Sequence, residues 1–505
     1  MPRASVGPGG GNGPMTACNP HSPTDLGNAR RLVEHHGADF RHVPSWGWLV
    51  WDGRRWTLDE TGEVMRRAKQ VPGLIRVEAL KRPPGTAIRK SLMEWALRSE
   101  SRSRLEAMVA LAQTEPEVVA RADQFDADPW SLNVLSGTVG LRTGKLRPHW
   151  REDLITKLAP VDYNPAATCP RFEAFLDRIM DGNADLIRFL QRAIGYSLTG
   201  LTIEQVLFIL YGIGANGKTT LLETIRYTLG DYAMQADPST FLIRGADAIR
   251  NDVARCRGAR FVSAVEMNSG RHLDEALVKQ VTGGDTMTTR LLYHEPFEFQ
   301  FTGKVFLACN HKPEIRGADL GIWRRIRLIP FEVTIPPEEQ DKHLVDALKQ
   351  EASGILRWAI EGYLAWQREG LGTAGAVVEA TAEYREASDS LAGFLAERCV
   401  MDSSLSCPVG DLYRAYREWA EGTGERPVSQ RRFGQMLAER GFKLDRTIRP
   451  MVCVGLALRS DTRDASFSPD RYAVPFSPPR GNSDGTPIRE SDIPEIVTRL
   501  SEGNR

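Results

Sequence analysis

The sequence predicts an α/β fold: a phosphate-binding core on a parallel sheet, a helical collar ahead of it and a small winged-helix module behind it. Three observations carry that prediction. Residues 204–212 (EQVLFILYG) form a continuous apolar run that ends in glycine, the pattern of a strand buried on both faces. Strand and helix patterns then alternate to about Phe331, which implies a three-layer α/β domain. Residues 388–457 show three helical patterns followed by a β-hairpin.

Composition narrows the class. The 505 residues carry 65 Lys and Arg against 65 Asp and Glu, a formal net charge of zero. Such a chain does not coat nucleic acid through bulk charge, so DNA contacts are expected from local clusters. No apolar run approaches the ~18–20 residues that span a bilayer, and no membrane role is expected. The seven cysteines (Cys18, Cys169, Cys256, Cys309, Cys399, Cys407, Cys453) form no CxxC pair and no Cys/His set at zinc spacing. They read as reduced cytosolic thiols packed as small hydrophobes.

Residues 1–27, rich in Gly, Pro, Ser and Asn, read as a disordered lead. An N-terminal α+β domain is expected over 28–165. It opens with a helical pattern and then SWGWLVWDGRRW, where Asp52-Gly53 separates two aromatic runs as a hairpin turn does. Trp46, Trp48, Trp51 and Trp56 either cement a small β core, the favoured reading, or stack on bases. A second β-like stretch has Gly137, Gly140 and Gly144 spaced as turns. The collar, 166–203, reads as two helices. Phe172, Phe175, Leu176 and Ile179 recur at helical spacing, as do Leu186, Phe189, Leu190, Ala193 and Ile194, with Asp181-Gly182-Asn183 as the break.

The core, 204–335, holds the chemistry. Gly212-Ile-Gly-Ala-Asn-Gly-Lys-Thr219 fits G-x-x-x-x-G-K-[ST] and lies after a buried strand and before the helix TTLLETIRYTL. In that setting Gly212, Gly214, Ala215, Asn216 and Gly217 lend backbone amides to phosphates, and the helix beginning near Thr220 adds its positive dipole end. Lys218 reaches the β- and γ-phosphates, and the Thr219 hydroxyl binds Mg²⁺; the cofactors expected are ATP and Mg²⁺. The strand ARFVSAVE puts Glu266 at its carboxyl end, where open α/β sheets hold ligands. There it can polarise the attacking water or help hold the metal. Asn268 stands where many such enzymes carry a second carboxylate. The strand KVFLACN ends in Asn310, an amide suited to sensing the γ-phosphate.

These runs resemble superfamily 3 helicases, specifically the phage/plasmid DNA primase-helicase family. The resemblance rests on ANGKTTLLETI, the segment from Phe261 to Phe299, VFLACNHKP and GIWRRIRLIPF, and covers roughly residues 28–457. It implies an AAA+-related ATPase that forms a hexameric ring and moves 3′→5′ on single-stranded or forked DNA. It implies that Lys279 faces the γ-phosphate of a neighbouring subunit. Arg325, with Arg324 second, becomes the arginine supplied in trans to neutralise charge in phosphoryl transfer. The segment around Tyr293-His294-Glu295-Pro296 reads as a hairpin, and the resemblance makes Arg290, Tyr293 and His294 its DNA-holding residues.

After a helical extension and linker over 336–387, residues 388–457 resemble a winged helix-turn-helix. Gln430, Arg431, Arg432 and Gln435 are expected on the exposed face of its third helix and Arg446 and Arg449 on the wing, all as DNA contacts, with protein docking as the alternative. The tail, 458–505, reads as disordered. The leading reading is a replicative helicase of a phage, plasmid or integrated element, in a bacterial cytoplasm, with any primase supplied separately. An ATP-dependent origin-binding or loading protein, or more distantly a small-molecule kinase, is the competing reading.

Overall fold

Thr24 opens the first helix: its hydroxyl accepts from the Gly27 amide at 3.0 Å, satisfying a donor that the first turn leaves without an intrahelical partner. The computed structural model describes residues 22–243, 251–265, 272–289, 297–315, 320–423, 427–445, 447 and 450–459. They fall into two compact units divided between Ser388 and Asp389. No described helix is long and apolar enough to cross a membrane.

The first unit begins with α1 (Asp25–His36) and an antiparallel sheet of β1 (Phe40–Val43), β2 (Gly47–Trp51) and β3 (Trp56–Leu58). The hairpin expected at Asp52-Gly53 joins β2 to β3, and Asp52 Oδ1 accepts from the Arg54 and Arg55 amides at 2.7 and 2.8 Å. The tryptophans pack: Trp56 is buried, edge-on to Phe125, and Trp51 tilts against it. Four helices follow, α2 (Glu63–Ala68), α3 (Val71–Leu80), α4 (Ala87–Arg98) and α5 (Arg102–Ala112). A second antiparallel sheet comprises β4 (Ser131–Val134), β5 (Gly137–Gly140) and β6 (Lys145–Arg147).

The collar helices are α6 (Pro170–Ile179) and α7 (Ala184–Tyr196), with Asn183 capping α7 through the Leu186 amide at 3.0 Å. The core then runs β7 (Leu207–Tyr211), α8 (Lys218–Leu229), β8 (Ala233–Gln235), α9 (Asn251–Arg255), β9 (Phe261–Val265) and α10 (Glu275–Gly283). An antiparallel hairpin, β10 (Thr286–Thr289) and β11 (Phe297–Gln300), leads to β12 (Lys304–Cys309), α11 (Leu320–Trp323) and β13 (Ile326–Pro330). Five strands make one parallel sheet in the order β13-β7-β12-β9-β8, with Phe208 stacked on Phe306 across two of them.

The helical extension expected within 336–387 comprises α12 (Leu344–Gln350) and α13 (Ala352–Glu369), whereas most of the stretch expected as a linker lies in a third helix, α14 (Gly375–Ala387). Helices α13 and α7 meet backbone to backbone: a Cβ on Gly195 would lie 2.1 Å from Tyr363 N, and one on Gly362 2.2 Å from Gln191 O. Helix α14 covers the edge strand β13, burying Val377 and Tyr384, and Thr381 Oγ1 accepts from the Leu328 amide at 3.0 Å. The glycines at 370 and 372, which suggest a flexible join, form the turn into α14.

The second unit comprises α15 (Ser390–Arg398), β14 (Cys399–Pro408), α16 (Val409–Gly422), α17 (Gln430–Glu439), β15 (Lys443–Asp445) and β16 (Val452–Leu458). The three expected helices are present and β15 pairs with β16 antiparallel. Strand β14 was not expected. It completes a sheet of order β14-β16-β15, but its middle is exposed and its register breaks between Met401 and Ser406, so it lacks a two-residue apolar alternation. Phe394, Leu412, Tyr416, Phe433 and Leu437 fill the core between helices and sheet.

Candidate nucleotide site and arginine edge

The loop between β7 and α8 is shaped by residues that tolerate it. Gly214, Ala215 and Gly217 have φ of +101°, +45° and +79°. A Cβ on Gly212 would lie 2.1 Å from Asn216 Nδ2 and 2.3 Å from Phe331 O, so only glycine fits there. Gly217 packs against the collar, where a Cβ would meet Ile179 at 2.6 Å. The loop is pinned from β13's side by Asn216 Nδ2 donating to Phe331 O (3.3 Å) and Ile335 N donating to Ala215 O (2.7 Å).

Lys218 is nearly buried, not solvent-facing. Its ammonium donates to Gly212 O at 2.7 Å, Asn216 Oδ1 at 2.8 Å and Asn310 Oδ1 at 3.2 Å. Burial holds its pKa below the usual lysine value. All three acceptors are oxygens, two of them from the loop itself and one from the end of β12. Asn310, the expected sensor, is brought to Lys218 because β12 lies beside β7. Thr219 is exposed at the start of α8 and Thr220 half-buried behind it. Glu266 lies outside the described residues; β9 ends one residue before it, two strands from β7.

Sequence reasoning did not single out Lys312. Its ammonium lies 4.8 Å from the Tyr211 ring at the end of β7, and with Lys218 it faces the buried Cys309 thiol. Burial pushes that thiol up to about 12. Its signal was the HKP following Asn310, a cation two residues past the sensor.

The two arginines of the WRRI motif separate. Arg325, expected to act on a neighbour, is buried in its own chain: Nε donates to Thr282 Oγ1 at 3.0 Å and a terminal nitrogen to Gly321 O at 2.6 Å. Reaching another subunit would require those bonds to break. Arg324 is exposed, with Gln205 Oε1 at 3.3 Å. Both lie at the amino edge of the sheet, since the Leu207 amide at the start of β7 donates to Arg325 O. The phosphate loop lies at the other end of β7, about 13 Å away at ~3.3 Å per residue. Lys279, half-buried on α10, is one turn before Thr282 and hence near the same edge.

The expected DNA contacts divide similarly. The β10–β11 hairpin is present, but Arg290, Tyr293 and His294 lie outside the described residues, as do Arg446 and Arg449. On α17, Gln430, Arg431 and Gln435 are exposed and Arg432 half-buried, while Phe433, Met436 and Leu437 face the core. The six described cysteines are free and buried; Cys18 lies outside the described residues.

Residues 29–181 match the family described as D5 N terminal like, residues 386–444 the Poxvirus D5 protein-like family, and residues 210–325 a family of unknown function. A protein named as a candidate helicase in Acanthamoeba polyphaga mimivirus is 27% identical over 330 residues, 60% of this chain and 34% of that protein. One so named in Frog virus 3 is 28% identical over 270 residues, 48% of this chain and 28% of that protein. One named as a candidate primase in African swine fever virus is 27% identical over 329 residues, 58% of this chain and 34% of that protein. The chain thus spans about a third of the length of these relatives. All three come from viruses of eukaryotes, so the bacterial setting expected from the sequence has no counterpart among them. A structure of the NrS-1 C-terminal region aligns over 83% of this chain and 96% of that one, with a TM-score of 0.45 and 10% identity. D5-type segments thus lie on both sides of the parallel-sheet core, and the chain resembles proteins named as candidate helicases and primases of large DNA viruses.

Proposed function

We propose that this chain is the ATP-driven helicase part of a DNA replication machine. It moves 3′→5′ on single strands as a hexameric ring and takes any primer synthesis from elsewhere. The observation that carries this reading is Lys218, held by three oxygens at the carboxyl edge of the parallel sheet, one of them from Asn310.

The residues present fit a magnesium nucleotide. Gly214 has open space where a Cβ would stand, the start of α8 offers its positive dipole end beside the loop, and Thr219 is exposed at that helix start. Bound there, the metal would neutralise phosphate charge, with Thr219 and Glu266 as its holders. Lys218 would exchange its three acceptors for β- and γ-phosphate oxygens. Asn310, released from Lys218, would then orient the attacking water beside Glu266. Arg324 suits delivery in trans because it is exposed and stands at the opposite end of β7 from its own loop. A ring that sets one copy's amino edge on the next copy's loop would therefore join hydrolysis to assembly. Unit 2 supports a winged-helix reading through its three helices and the pair β15–β16, with Gln430, Arg431 and Gln435 presented outward.

Strand displacement on a tailed duplex tests this reading. The expected result is ATP-dependent unwinding from a 3′ tail, with hydrolysis stimulated by single strands. Hydrolysis without displacement would leave an origin-binding switch or loader, and phosphorylation of a metabolite without DNA would leave a kinase.

A further inference from the structure

The N-terminal bundle carries a cluster of cations that the nucleotide chemistry does not use. Lys81 and Arg82 follow α3, and Arg89 and Lys90 occupy the first turn of α4. No acid occurs between Glu78 and Glu94. The other arginines of this bundle mostly face carboxylates: Arg30 to Glu115, Arg31 to Glu78, Arg66 and Arg67 to Glu63, Arg76 to Glu100, Arg104 to Asp25. Among the described residues none of Lys81, Arg82, Arg89 and Lys90 is in an ion pair; the one contact is Arg89 to the Arg82 carbonyl at 3.5 Å.

Pairing sets the cluster apart: α5 also opens on two arginines with no acid in its first turn, but Arg102 is paired with Glu106 and Arg104 with Asp25. Cations after a helix's last turn, such as Lys81 and Arg82, suit its dipole, but cations in a first turn oppose it. Helix α4 has twelve residues, no acid in its first turn and two cations there. A local rule broken without an internal compensation points to a partner outside the chain. The loop between is stiff: Pro83-Pro84 fixes it, and Thr86 Oγ1 donates to Pro83 O at 2.9 Å while accepting from the Arg89 amide. Leu80 and Ile88, 56% and 61% exposed, flank the cations and offer apolar contact to unstacked bases.

We infer that the α3–α4 corner binds the phosphate backbone of single-stranded nucleic acid, a contact separate from the sheet core and from α17. The inference rests on the reading of this chain as a DNA-acting protein. The test compares the full chain with its Lys81→Ala/Arg82→Ala/Arg89→Ala/Lys90→Ala variant, binding a labelled oligothymidylate over a salt series without nucleotide. Four lost contacts at ~0.7 each should flatten the log–log salt slope by about 2–3 and weaken binding at least about tenfold at low salt. Arg102→Ala, which removes a cation paired with Glu106, should leave both unchanged. Basal hydrolysis and helical content of the quadruple variant should match the parent.

An unchanged slope and affinity in a parent that does bind overturns this site while sparing the helicase reading. A parent that binds no strand at all overturns both. If the substitutions instead abolish binding to phosphatidylserine vesicles and spare the oligonucleotide, the corner is a lipid contact and the inference is wrong.

Discussion

At the carboxyl edge of the central sheet, Lys218 is held by three oxygens of the loop and of Asn310, which in the proposed function an incoming phosphate replaces. At the amino edge, Lys304, Arg260 and Arg325 are buried and are held by backbone carbonyls and, for Arg325, also by the Thr282 hydroxyl. Lys304 donates to the carbonyls of Thr199, Leu201 (3.3 Å) and Thr302 (3.0 Å) and faces the Tyr196 ring. Arg260 donates to Leu198 O at 2.7 Å and Asp128 O at 3.2 Å. Both satisfy backbone carbonyls of the segment that follows α7. The difference teaches that a buried cation's role is set by whether its acceptors are exchangeable. Arg324, by contrast, is exposed at the amino edge and retains a choice of partner.

The largest effect expected from this contrast is on Lys218. Lys218→Ala should lower hydrolysis by about 10²–10³-fold, the scale for removing one preorganised donor, and leave the melting temperature nearly unchanged. Loss of folding instead would place Lys218 with the structural cations. Lys304→Met should do the reverse. Orphaned buried carbonyls cost about 1–3 kcal/mol each, so denaturant unfolding should show a loss of about 3 kcal/mol while nucleotide affinity holds. A drop in affinity at preserved stability would break the comparison.

The smallest effect concerns Cys309, beneath Lys218. Burial raises its thiol from 9.0 to about 12. Below pH 9 the folded and unfolded chains both keep this proton, and its contribution to stability is complete. As pH climbs from 9 toward about 12, only the unfolded chain releases it, so that contribution is lost. Unfolding curves across that range should shift less in Cys309→Ala than in the parent. An identical shift would show that the floor of the site is open to water.

Much of the carboxyl edge was legible because its rules are local. Glycines, lysine and threonine at fixed spacing between an apolar strand and a helix determine the loop, and Asn310 follows from the end of the next buried run. The amino edge was not legible. Whether Arg324 or Arg325 is buried depends on Thr282 and Gln205, 43 and 120 residues away from Arg325 in sequence. Likewise α14 reads as a join because its glycines are visible in sequence and the strand edge it covers is not. Strand β14 escaped because most of its side chains meet water, so no apolar period marks it. The α3–α4 cations form no motif, and what sets them apart is the pairing of their neighbours with carboxylates, which only the fold shows.

The central claim is that one copy's amino edge serves another copy's phosphate loop, and subunit mixing tests it most directly. Arg324→Ala and Lys218→Ala chains, each inactive alone, are combined and their co-assembly verified before hydrolysis is measured. The account predicts recovered activity, because an Arg324 from one chain can complete the intact loop of the other. Verified mixed oligomers that remain as inactive as either parent would contradict it.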